Sequence, residues 1–338
     1  MDKYYSHTLL SILLIISLLG CHSKEQYFPR QMEQQHINII RFDESLMNIR
    51  NISSLDGIRL LYDEYNVFMP FWVNHIIGFS SSDTVELAEA LPKFLEDTIY
   101  GFRETNLYAQ TEFADISIIQ HDLNEAFTRI HYLFPDWEMP QVYFFLSGFN
   151  ASVVFVDDDI AVGIDMYLGT DYPYYNRVAY DYQKQTMRKQ CIATDVVSAY
   201  LFSHIHYTST KSRLLENMIY RGKVMYLLYL LFPDQPGYET MGYSKEQWKW
   251  CLQYERAAWN RIMDKRDLFK TENMVLTSYL NDGPFTQEIS QDSPGRMGTW
   301  IGWRIVESYM KHNPEITLQQ LMEEGDAQKI LEESYYKP

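Results

Sequence analysis

The stretch IATDVVSAYLFSHIHY (Ile192–Tyr207) gathers Asp195, Ser198, Ser203, His204 and His206 in one helix-forming run. Acids, hydroxyls and imidazoles at such spacing raise two possibilities, metal-assisted hydrolysis and nucleophilic catalysis. His204 and His206 are two residues apart and would point about 200° apart on a helix, so they cannot share an ion there. On a strand they would share a face, but two imidazoles fall short of the three protein ligands of a catalytic zinc site. Ser198 and Ser203 lack the G-x-S-x-G elbow, and the sequence has no P-loop or dinucleotide glycine motif. His121 and Glu125 stand one helical turn apart and can meet, but a pair alone builds no site, and a solvated helix face accounts for it. The consecutive acids Asp157–Asp159 lack the alternating oxygen ligands of a calcium loop and fit a hairpin turn. Arg296, near Asp292 at the mouth of the run SPGRMGTWIGWRIV, is the feature of that segment that invites a binding role.

The elements that must position these groups are mainly helical. Leu55, Ile58, Leu61, Tyr62 and Tyr65 recur at helical spacing, and Pro70 interrupts the run. Pro92 marks where a helix beginning near Thr84 must end or bend. Ile116, Ile119, Leu123, Phe127 and Ile130 form the clearest apolar stripe. Between Gln141 and Leu168 the runs QVYFFLSG, ASVVFV and IAVGIDMYLG predict three antiparallel strands. Helices are expected again at roughly 195–205, 213–231, 244–265, 296–311 and 318–324. Ser293 fits an N-cap with Pro294 at the first helical position. Gly298 and Gly302, one turn apart, would let another backbone approach closely. The expected class is α+β, mainly helical with a small antiparallel sheet.

Composition narrows the setting. With 46% hydrophobic and 22% charged residues the chain folds, and its net charge of −16 argues against nucleic acid and against a polybasic lipid contact. The 27 tyrosines suit wet, amphipathic surfaces. The apolar run Leu9–Leu19 is short for a bilayer span and matches the core of a secretory signal. It ends in Leu18-Leu19-Gly20-Cys21, which resembles the lipobox of bacterial lipoproteins. This predicts a signal peptide over 1–20, acylation of Cys21, a tether over 21–41 and a single globular domain over 42–338. A multiply acylated Cys21 anchors firmly, since each buried methylene contributes about 0.8 kcal/mol. Cys191 and Cys251 remain, and their spacing does not decide whether they pair.

Four segments carry a family likeness: IIRFDESL, YFFLSGFNASVVFVDDDIAVGIDMYLGTDYPYY, NDGPFTQEISQDSPGRMGTWIGWRIVESYM and DAQKILEESYYKP. Together they resemble the gliding-motility lipoprotein B (GldB) family, from about Arg41 to the C-terminus. That family is in turn distantly similar to zincin-type metallopeptidases, and the resemblance implies a degenerate zincin-like scaffold. Thr194-Asp195-Val196-Val197-Ser198 would then occupy the H-E-x-x-H positions and Arg221-Gly222 the downstream glutamate-glycine pair. Threonine, serine and arginine are poor zinc ligands, so no metal or other cofactor is expected. The likeness implies a non-catalytic envelope protein of the motility or secretion type, anchored by its lipid and binding a protein partner. His22, in place of the aspartate of inner-membrane retention, favours the outer membrane. Tyr167, Tyr172, Tyr174 and Tyr175 follow the last strand where a zincin's substrate groove would run, and they are candidate partner contacts along with Arg296. The alternative is a peptidase-like hydrolase in which Asp165, Asp195 and Arg221 converge.

Overall fold

The computed structural model describes residues 27–48, 54–79, 84–97 and 101–338; the expected signal peptide and Cys21 lie outside the described residues. The polar stretch expected as a tether joins the body well before residue 42. Tyr27 places its hydroxyl 2.9 Å from that of Tyr226. The Gln35 and Ile37 amides donate to Thr128 Oγ1 and Asn124 Oδ1, each at 2.9 Å, and Gln120 Nε2 donates to the Ile37 carbonyl at 2.7 Å. Gln120, Asn124 and Thr128 repeat every four residues, so one polar stripe of a helix satisfies an extended backbone as a neighbouring strand would. The chain then forms strand β1 (Ile39–Arg41) and helix α1 (Phe42–Asn48). A strand this short leaves no periodicity to read.

Helix α2 (Ser54–Glu64) buries Ile58 and Leu61. Pro70, with no N–H to give, lies in a one-turn helix that runs on as a π-helix at Trp72–Ile76. Helix α3 (Thr84–Leu95) accommodates Pro92 and continues to Leu95. Helix α4 (Phe102–Glu112), which no stripe announced, leads to α5 (Ser117–Leu133). On α5 the residues Ile119, Leu123, Phe127 and Ile130 are all buried, as their spacing predicts.

The sheet has four strands in the order β1-β2-β4-β3, with β2 at Val142–Phe145, β3 at Val153–Val156 and β4 at Asp159–Gly163. The expectation of three antiparallel strands is corrected: β1, β2 and β4 run parallel, and only the β3–β4 hairpin is antiparallel. Burial explains the arrangement. Ile160, Ala161 and Val162 are fully buried, which suits a strand covered on both faces and paired on both sides. Strand β3 exposes Phe155 and takes the edge. Asp157 opens the hairpin turn in the left-handed region at φ 52°.

The remaining long helices are α6 (Ile192–His204), α7 (Leu214–Leu231), α8 (Lys245–Asp264), α9 (Asn273–Leu280) and α10 (Met297–His312). Two short ones, α11 (Leu318–Glu323) and α12 (Ala327–Glu333), follow. Helices α7 and α10 cross at glycines. A Cβ at Gly302 would lie 1.9 Å from the Met218 carbonyl, and one at Gly222 would lie 2.3 Å from the Gly302 backbone. Gly298 and Gly302 therefore do admit neighbouring backbone, but Ser293 does not cap α10. Its Oγ bonds within its own loop, accepting from Thr286 N at 3.1 Å and donating to Ser290 O at 2.7 Å. Arg296 precedes the helix at φ 58°. Cys191 and Cys251 are both free and buried. The fold is α+β, mainly helical with a small mixed sheet. No helix of the described residues is long and apolar enough to cross a membrane.

Candidate functional site

Helix α6 begins after a tight turn at Lys189–Cys191, and its first turns present Thr194, Asp195 and Ser198 on one side. That side lines a cavity of about 360 Å³. The opposite walls come from Ser152 and Tyr167 at the two ends of the hairpin, from the segment 178–187, and from Met225 and Leu228 on α7. Arg296, Asp282 and the segment 239–243, the end of a short helix at Gly237–Met241, close the rest.

Asp195 is the centre of this arrangement. Its Oδ2 accepts a hydrogen bond from the Tyr167 hydroxyl at 2.8 Å. The residue is half-buried and lines the cavity. Burial pushes its pKa up to about 6, opposed by the Tyr167 hydrogen bond and the nearby Arg296 charge. Tyr167 itself is 2% exposed, and burial beside the carboxylate raises its hydroxyl further out of reach of titration. The neighbouring Cys191 thiol is raised to about 12 by burial and then by Asp195, so it is an inert thiol.

Arg296 comes from the far end of the sequence, and its left-handed backbone turns it toward this site. Its Nε pairs with Asp282 Oδ1 at 2.7 Å, and its Nη2 donates to the Met241 carbonyl at 2.6 Å. The partner is Asp282, not Asp292. The guanidinium carbon stands 5.5 Å from the Tyr243 ring centre, within cation–π reach. Arg188 and Glu239 form a second ion pair on the rim.

The other anticipated residues are placed elsewhere. Arg221 donates to the Leu280 carbonyl at 2.9 Å, and burial, then Arg296, lowers its pKa. It lies behind the Arg296–Asp282 pair and is not part of the cavity lining. Asp165 does not converge on Asp195 through any hydrogen bond. It accepts from the Ser147 and Phe149 amides at 2.8 and 2.7 Å and from Ser147 Oγ at 3.1 Å, so it clamps the loop between β2 and β3. Tyr172 and Tyr175 are buried, with hydroxyls bonded to Thr105 and to the Asp165 carbonyl. Tyr174 packs its ring on Gly101, where a Cβ would lie 2.0 Å away. These three tyrosines build the wall around the loop, while Tyr167 alone of the four reaches the cavity. His204 stacks on Tyr200 and Trp137, with ring centres 4.0 and 4.7 Å away.

Several cavity residues had no sequence signal. Tyr182 lines the rim and stacks on the largely exposed Tyr180, with ring centres 5.9 Å apart. Asp282 and Glu239 are ordinary surface acids until the fold supplies Arg296 and Arg188. Among the described residues no group of three or more His, Cys, Asp or Glu side chains is arranged to hold a metal.

No curated protein and no solved structure matches this chain. Residues 24–338 match the family model for gliding motility protein GldB, which spans the hairpin, the cavity and the glycine-crossed helices together. The chain belongs to the GldB gliding-motility lipoprotein family.

Proposed function

We propose that this protein is anchored through an acylated Cys21, on the outer-membrane side of the envelope, and holds an extended segment of a protein partner along β3 without cutting it. One observation carries the proposal: β3 is an edge strand beside the Asp195 cavity. The Gly163 amide donates to Ser152 O at 2.9 Å, and Val156 pairs with Asp159 across the turn. Alternation then directs the backbone groups of Ser152, Val154 and Val156 toward β4, and those of Val153 and Phe155 outward. An outward row of donors and acceptors is a template for an added strand.

The order of elements supports an emptied zincin scaffold. A sheet-edge hairpin precedes α6, where Thr194, Asp195 and Ser198 face the cavity, and α7 and the glycine-bearing α10 follow. Threonine and serine there bind by hydrogen bond instead of coordinating zinc.

Proline substitution tests the strand-addition reading. Val153→Pro removes an outward N–H and spares the pairing with β4. A photo-crosslinking residue in place of Phe155, in cells, is expected to give a defined adduct that Val153→Pro abolishes. An adduct unaffected by Val153→Pro, or none, rules out partner addition at this edge.

A second reading, a peptidase-like hydrolase, is favoured by the Asp195 carboxyl poised at about 6, a value suited to acid–base exchange near neutrality. Turnover of a quenched peptide by the full chain, lost in Asp195→Asn, would install it in place of the first.

A further inference from the structure

The charges around the cavity are unevenly matched. Asp195, Glu239 and Asp282 are acidic, and Arg188 and Arg296 are basic. Glu239 is taken by Arg188 and Asp282 by Arg296. Arg296 is further committed to the Met241 carbonyl and lies over Tyr243. Asp195 is left with one neutral donor, the Tyr167 hydroxyl on Oδ2. Among the described residues no hydrogen bond reaches its Oδ1. The cavity therefore holds one carboxylate in excess, with free acceptor capacity turned toward its interior.

The rest of the lining suits an aliphatic stem. Met187, Met225, Met241 and Leu228 contribute soft apolar surface, and the Tyr182 ring stands at the rim. Ser152, which heads β3, also lines the cavity, so a strand laid along Val153–Phe155 passes its mouth.

We propose that the cavity receives a basic side chain, lysine or arginine, of the segment paired with β3, its charge on Asp195 and its methylenes against the methionines. This rests on the strand-addition reading above and deepens it by naming the residue class recognised. A basic group fits for two reasons: it balances the one unpaired charge, and its long apolar stem can stay in contact while the head is bonded. An acidic side chain would set a like charge beside Asp195 and Asp282.

The test uses the full chain in detergent and three fluorescent, terminally blocked peptides that differ at one central position: lysine, norleucine or glutamate. Val-rich flanks keep each peptide extended. At pH 7.5 the lysine peptide is expected to bind at least tenfold more tightly than norleucine, with glutamate weakest. Asp195→Asn is expected to bring lysine and norleucine together. Lowering the pH to 5 should shrink the lysine preference in the wild type, because Asp195 protonates near 6. Of the groups facing it, Tyr167 and Cys191 are raised away from that range by burial, and Arg188 and the Arg296–Asp282 pair supply the fixed surroundings. Equal binding of lysine and norleucine to the wild type overturns the proposal and leaves strand addition standing. Failure of all three peptides to bind overturns both. The wild-type series decides on its own if Asp195→Asn does not fold.

Discussion

Asp165, fully buried, and Asp195, half-buried, both stand close to Tyr167, and they differ in what surrounds them. Asp165 accepts three hydrogen bonds from the loop after β2, two of them from backbone amides. Burial raises its pKa, and those donors pull it back. Asp195 has a single protein donor and faces a cavity. Burial of an acid is therefore not what marks a site in this molecule. The distinguishing feature is acceptor capacity left unused: a saturated carboxylate holds a loop in shape, while an unsaturated one waits for a ligand.

Three measurements would break or sharpen that contrast. The largest effect is expected from Asp165→Ala, which leaves the Ser147 and Phe149 amides buried without an acceptor. It should cost about 3 kcal/mol or more of stability in urea unfolding. A cost below about 1 kcal/mol would mean that the loop re-satisfies itself and that Asp165 is no clamp.

A smaller effect attaches to Asp195 and pH. Its folded pKa of about 6 lies above the ordinary 3.8, so the folded state holds a proton that the unfolded state has released. Stability from this group is present below about 3.8 and is lost as pH rises to about 6. The difference between wild type and Asp195→Asn cancels the other titrating groups. Asp195→Asn should therefore gain on the wild type across that window, by roughly 1 kcal/mol or more, since a tenfold change in proton affinity is worth about 1.4 kcal/mol. A flat difference would place Asp195 in an ordinary, water-like setting. The smallest effect expected is that of zinc. Native mass spectrometry of the full chain with added zinc should show no stoichiometric binding, and the Tm should not rise. One tightly held ion per chain would move the hydrolase reading to the front.

The parts of this contrast that could be read from sequence are the local ones. The stripe on α5 and the Asp157 turn depend on neighbours within a few residues, and each formed where periodicity or turn chemistry placed it. Strand direction was not legible, because alternation fixes which face is buried and not which strand lies alongside. Strand β4 takes the centre through its buried neighbours, which belong to the whole fold. The same limit governs the site. Asp195, Thr194 and Ser198 share one helix turn and could be grouped by spacing, given a resemblance to follow. Tyr167 and Arg296 had to be brought in from opposite sides of α6 in sequence. Arg296 found Asp282 at the far end of the loop between α9 and α10, and not Asp292 close by, a choice that four residues of spacing do not reveal.

The contact of Tyr27 with Tyr226 sets a length. Tyr27 stands six residues beyond Cys21, and a fully extended chain of that size spans at most about 20 Å. That is less than half the width of a domain of this mass, roughly 50 Å across. With Cys21 acylated as proposed, the body stands close to the bilayer. Tyr226 faces the anchor, while Met225 and Leu228 of the same helix face the cavity. On that footing the cavity opens on a face of α7 other than the one that meets the anchored end of the chain.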